Sequence, residues 1–175
     1  MKSYSVLTKI IHWTTALLVV VLFGLGLWMA GLNYYDSWYR TAPDLHISLG
    51  LCLLVLLIAR IINRVTQPFP KSLPSHSRIE QISAKAAHHT LYLLLVVMVA
   101  TGYFLAGIEG NGVGFFGLFK LPGIPTSGAD LEDIFEQVHY FSAWGLVVIA
   151  GLHGLAALKH HFIDKDDTLR RMTRS

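Results

Sequence analysis

Charge is scarce in this chain: 14 % of its 175 residues are Asp, Glu, Lys or Arg, whereas 53 % are apolar. Cysteine is scarcer, with Cys52 alone, so no intrachain disulfide can form. Hydrophilic helix faces are missing too. Four stretches of roughly 20 mainly apolar residues, near 10–32, 45–65, 87–108 and 137–158, lack the polar side that a surface helix of a soluble protein shows. Each is long enough to cross about 30 Å of hydrocarbon, which excludes a soluble bundle. Small residues after the first stretch, Ala30 and Gly31, raise the alternative of a cleaved signal peptide. Its apolar run is longer than a signal core, and it holds His12, which a discarded peptide would not need, so it is read as a mature span.

The few charges are sorted by side. Lys2 and Lys9 precede the first span, Arg60, Arg64, Lys71, Arg78 and Lys85 lie around the second connection, and Lys159, Lys165, Arg170, Arg171 and Arg174 follow the fourth span. The other two connections hold only Arg40 and Lys120, among Asp36, Asp44, Glu109, Asp130, Glu132, Asp133 and Glu136. By the positive-inside rule both termini are cytoplasmic. The net charge of +3 is therefore a basic inner face added to an acidic outer one, which excludes nucleic acid as a partner.

Against this apolar background stand nine histidines, four of them within the spans at depths that form two levels. His139 and His153 share the fourth span, fourteen residues apart. At helical geometry that is about 21 Å along the axis and only about 40° around it, so both imidazoles face one way. His12 enters the first span from the side where His153 ends the fourth, and His46 opens the second span at the level of His139. The crossed pairings would set partners about 21 Å apart, too far for one ion. Two bis-histidine sites stacked in a helical bundle point to two haems, since neutral imidazole ligates haem iron and bundle cores house cofactors. No Cys-x-x-Cys-His sequence exists for covalent attachment, so both are b-type. The ligand-bearing face continues through Ala143, Leu146, Ala150 and Ala157, mostly small side chains that leave room for a flat ring. Gly24, Gly26, Gly50, Gly102, Gly151 and Gly154 read first as close helix packing, which also permits haem.

The buried histidine of Lys9-Ile10-Ile11-His12-Trp13, the Leu45-His46 opening of the second span, the fourteen-residue pair of the fourth and the tail Lys159-His160-His161-Phe162-Ile163-Asp164-Lys165-Asp166-Asp167-Thr168-Leu169 resemble the bacterial cytochrome b561 family. The arrangement is also similar to the b-type cytochrome subunits of nickel-iron hydrogenases and formate dehydrogenases. The resemblance implies an all-α transmembrane four-helix bundle, one integral-membrane di-haem unit over residues 1–175 in the bacterial inner membrane. It implies His12 with His153 for the inner haem, His46 with His139 for the outer, and electron exchange with quinone.

Arg60 stands fourteen residues after His46, parallel to the step from His139 to His153, and so reaches the inner level. It either pairs with a haem propionate or snorkels to headgroups as an anchor. His88 and His89 open the third span, as an alternative axial ligand, a proton acceptor for quinol or interfacial side chains. His160 and His161 reach the same level, and His76 lies in a Pro- and Ser-rich loop with no assigned role. Ser77 with Glu80 fits a capping box for a short amphipathic segment, with Ile79, Ile82 and Ala86 on its apolar stripe, resting on the inner leaflet. Pro68, Pro70 and Pro74 keep the preceding link extended. The outer loop, with Phe115, Phe116 and Phe119, then Pro122 and Pro125, is expected to cover the outer haem.

Bis-histidine ligation leaves no open iron position, which favours outer-sphere electron transfer over oxygen chemistry. Four readings follow. The first is transmembrane electron transfer between the quinone pool and a periplasmic redox partner. The second is a superoxide oxidase feeding ubiquinone, disfavoured by the acidic outer face because an anion is steered by positive potential. The third is the cytochrome b membrane subunit of a dehydrogenase or hydrogenase, and the fourth a haem-free transporter whose histidines bind zinc or relay protons.

Overall fold

The computed structural model describes residues 3–68, 70–108, 110, 112–124 and 129–174; Lys2, Glu109 and Pro125, which entered the arguments on charge and turns, lie outside them. The described chain forms helices α1 (Val6–Met29), α2 (Thr41–Thr66), α3 (Arg78–Gly107), α4 (Ala129–Phe162) and α5 (Arg170–Thr173), with a small hairpin of β1 (Val113–Phe115) and β2 (Phe119–Leu121) before α4. The first four are each long and apolar enough to cross a membrane.

Local chemistry sets their ends. Ser5 caps α1 by accepting the Thr8 N–H at 3.2 Å. Gln67 leaves α2 in extended conformation (φ −104°, ψ 140°), as the residue before Pro68 must. Ser77 and Glu80 form a reciprocal capping box, and here the chain departs from the expected separate segment: the helix it starts runs unbroken from Arg78 to Gly107. No proline or glycine lies between the cap and the apolar run, so nothing stops the helix, and the amphipathic stripe is the first turns of α3.

Helix α3 packs chiefly on α4, α1 on α2, and α2 on α3, while α1 and α4 touch more sparingly. The interior is a layer of Leu22, Leu53, Leu57, Leu95 and Leu146, flanked by Leu18, Leu49, Leu91 and Met98. Large apolar side chains on the outside, such as Leu17, Val20, Val55 and Leu155, are more than 60 % exposed. So much uncovered apolar surface belongs in lipid, and the chain is a multi-pass membrane protein.

Both termini meet at one end. The Tyr4 N–H donates to Arg171 O (3.3 Å), the Trp13 indole to Met172 O (3.0 Å) and the Arg171 guanidinium to Lys71 O (2.8 Å). At the opposite end the expected irregular loop instead pairs Val113 with Leu121 and Phe115 with Phe119 in an antiparallel ladder. Gly117 turns it at φ 71° beside Phe116 at 46°, the left-handed region where glycine carries no Cβ penalty. Val113 is almost fully buried, and the Phe116 N–H donates to Ser48 Oγ at 2.9 Å, while the Ser48 hydroxyl donates to Asp44 O at 2.8 Å. Ser48 lies two residues past His46, so this bond pins the hairpin at the His46 level. Ser48→Ala is expected to cost about 1 kcal/mol of local docking, read as roughly fivefold faster hydrogen exchange at the Phe116 amide.

Candidate functional site

His12 comes from α1, His46 from α2, and His139 and His153 from α4, and all four side chains turn into the bundle, largely covered. Their rings meet in two pairs. His46 and His139 have centroids 6.3 Å apart with planes at 70°; His12 and His153 are 6.5 Å apart at 72°. Two imidazoles on opposite sides of one metal ion, with nitrogens about 2 Å from it, place their centroids about 6.3 Å apart. Both pairs have that spacing. A third ring, His88 of α3, approaches His153 at 5.2 Å, about 1 Å short of it.

The hairpin-end pair is braced from behind. The Thr101 hydroxyl donates to Val97 O at 2.7 Å, which aims a lone pair at His139 Nδ1, 3.0 Å away. A ring that donates from Nδ1 keeps Nε2 unprotonated, the state a metal-binding nitrogen needs. Beside the two rings the neighbouring helices have glycine. A Cβ on Gly102 of α3 would stand 3.0 Å from His139 Cε1, and one on Gly26 of α1 would stand 3.4 Å from His46 Cε1. His46 Nδ1 is buried with no hydrogen-bond partner among the described residues, a costly condition unless a ligand answers it. These features fit a flat cofactor held between His46 and His139.

At the terminal end, a cavity of about 40 Å³ is lined by His12, Arg60, His88, Leu91, Tyr92, Leu95 and His153. Arg60 does not reach outward. Its Nη2 donates to His12 Nδ1 at 3.1 Å and its Nε to the Tyr92 hydroxyl at 3.1 Å, with the guanidinium 5.4 Å from the Tyr92 ring centroid. A guanidinium has no lone pair, so His12 Nδ1 accepts in this contact. Among the described residues, a Cβ at Gly50, Gly151 or Gly154 would meet nothing within 4 Å, so these positions leave open space.

Sequence reasoning singled out the four histidines and Arg60, which the structure brings together as two ring pairs with Arg60 beside His12, but passed over Thr101, Tyr92 and the particular positions of Gly26 and Gly102. The only signal for these was a polar or small residue inside an apolar span, and packing explains most such residues. Of the remaining histidines, His88 lines the terminal cavity, while the His76 and His160 rings meet at 4.7 Å, tilted by 37°, where the link before α3 reaches the end of α4.

The family model described as prokaryotic cytochrome b561 matches residues 3–175. The chain is 43 % identical over 171 residues to cytochrome b561 homolog 2 of Escherichia coli (strain K12), covering 98 % of this chain and 91 % of that one. It is 32 % identical over 173 residues to the probable superoxide oxidase CybB of Yersinia pestis, covering 98 % and 96 %. It is 26 % identical over 175 residues to cytochrome b561 homolog 1 of E. coli (strain K12), covering 98 % and 97 %.

Proposed function

This chain belongs to the prokaryotic cytochrome b561 family, and from that premise we propose that it carries electrons across the bacterial inner membrane between the quinone pool and a periplasmic redox partner. Two b-type haems, one held by His12 with His153 and one by His46 with His139, supply reversible one-electron chemistry at two depths. The observation that carries this reading is the pair of imidazole couples, each at bis-ligand spacing, with one partner of each on α4.

The chain's own groups hold the geometry. Thr101 fixes the His139 tautomer, so Nε2 stays available without rearrangement. With His12 as a ligand through Nε2, its Nδ1 would carry the ring proton and Arg60 would be free to turn its planar fork to a carboxylate such as a propionate. Tyr92 keeps the guanidinium at this level by accepting from Nε. The leucine layer between the levels excludes water and keeps the local dielectric low. The basic residues gathered with both termini support a cytoplasmic position for that end. At the other end Asp36, Asp44, Asp130, Glu132, Asp133 and Glu136 outnumber Arg40 and Lys120, which favours a cationic docking partner there over steering of an anion.

A second reading, oxidation of superoxide with ubiquinone as acceptor, is favoured by the 32 % identity to the Yersinia pestis protein. One preparation separates the two. Proteoliposomes with a ubiquinol analogue in the bilayer and ferricyanide enclosed are expected to reduce the enclosed ferricyanide only when haem-loaded protein is present. Consumption of enzymatically generated superoxide without that transmembrane reduction would install the second reading, and neither activity would reject both.

A further inference from the structure

Outside the bundle, where the link between α2 and α3 meets the chain leaving α4, lies a cluster the electron path does not use. His76, His160 and Asp166 converge there, with side chains only 15 %, 13 % and 11 % exposed. Asp166 Oδ2 lies 3.1 Å from His76 Nε2 and 2.9 Å from His160 Nδ1, and the three donor atoms all fall within 4.8 Å of one another. In a tetrahedral site with bonds of about 2.0–2.1 Å, donors stand about 3.3 Å apart, so the cluster needs only small adjustments to surround one ion.

The surrounding chemistry calls for a cation. His160 Nδ1 lies 2.9 Å from carboxylate oxygens of both Asp164 and Asp166, and one ring nitrogen carries at most one proton. Glu80 is the third carboxylate at the same cavity, an opening of about 310 Å³ lined also by Ser75. The Lys159 ammonium is taken by Asp164 at 2.7 Å and Glu80 at 3.1 Å. Asp166 meets two imidazoles and Thr168. The Thr168 N–H donates to Asp166 Oδ1 at 2.8 Å and orients the carboxylate, as outer groups do around metal ligands.

We propose that His76, His160 and Asp166 bind a divalent transition-metal ion of the zinc class, with Asp164 or water at the fourth position. Two imidazoles and a carboxylate suit zinc, and the site would staple the link before α3 to the tail after α4. Because α4 carries His139 and His153, that staple fixes the terminal end of the helix on which both imidazole pairs depend.

The test uses haem-loaded, untagged protein in detergent, stripped with chelator, given Zn2+, freed of excess by gel filtration and assayed for metal by mass spectrometry. About one zinc per chain is expected in the parent protein and in His89→Ala, an exposed-histidine control. His76→Gln and the isosteric Asp166→Asn are each expected to weaken zinc binding tenfold or more with an unchanged haem spectrum. Absence of zinc from the parent protein, zinc retained in both variants, or zinc lost only together with haem would each overturn the site. Since haem content is read separately, failure of this proposal leaves the electron-transfer reading untouched.

Discussion

Substituting alanine for His139 is expected to remove one of two haems and leave the other, and His153→Ala is expected to remove the complementary one. The geometry makes the losses separable. The two positions are fourteen residues apart on α4, about 21 Å along the axis, and each imidazole faces a different partner helix, α2 for His139 and α1 for His153. The leucine layer of Leu22, Leu53, Leu57, Leu95 and Leu146 lies between them, so a hole at one level need not collapse the other. A pyridine haemochrome assay on protein purified in detergent should fall from about two haems per chain to about one in each variant, and the reduced-minus-oxidised spectra of the two variants should sum to that of the parent. Transmembrane reduction of enclosed ferricyanide should drop by tenfold or more in both, because either loss interrupts the path. Retention of both haems in His139→Ala would remove the paired-level arrangement. Retention in His153→Ala would shift attention to His88, whose ring lies 5.2 Å from that of His153.

The pairing by depth could be read without coordinates because it depends on two periodicities alone, the helical rise and the alternation of basic and acidic connections. What eluded that reading depends on contacts between residues far apart in sequence. The Thr101 hydroxyl meets His139 across 38 residues, and Arg60 meets His12 across 48; neither spacing carries a periodic signal. Arg60 illustrates the limit well. Its place one cofactor step after His46 marked its depth, but whether it reached outward or inward depended on Tyr92 offering an acceptor from α3. The capping box was legible and its consequence was not: the same Ser77 and Glu80 that begin a short surface segment also begin a 30-residue helix, and only the absence of a breaker before the apolar run decides. His76 looked like a loop histidine since its partners, His160 and Asp166, lie 84 and 90 residues on. The hairpin was hidden for another reason. Three residues per strand are too few for an alternating pattern to stand out, and the aromatic cluster that marked the loop stabilises many geometries.

The glycines offer the sharpest physical test of the pair near the hairpin. The six span glycines named from sequence shared one explanation, close helix packing, yet what a Cβ would meet differs among them and at Gly145, a further glycine of the fourth span. A Cβ at Gly102 meets His139 Cε1 at 3.0 Å, one at Gly26 meets His46 Cε1 at 3.4 Å, and one at Gly145 meets only the end of Leu94 at 3.7 Å. The first distance is tighter than carbon atoms tolerate in ordinary packing, the second marginal, the third ordinary van der Waals contact. Gly102→Val adds two further methyl groups against a ring whose position is already fixed by Thr101 at 3.0 Å, so the imidazole must move or the helices must part. Overpacking of this kind costs about 1–3 kcal/mol, which corresponds to a roughly five- to 150-fold weaker hold on the cofactor that His139 would ligate. The expected result is a graded series. Gly102→Val strips or loosens the haem at the His46–His139 level and leaves the one at His12–His153, Gly26→Val does so to a lesser degree, and Gly145→Ala retains both. The readout is haem retained per chain after competition with an excess of apomyoglobin, followed optically. Equal retention across the three variants would mean that the outer imidazoles are not wedged against these glycines when the protein is loaded, and an inverted order would place the macrocycle on the α1 side of the pair.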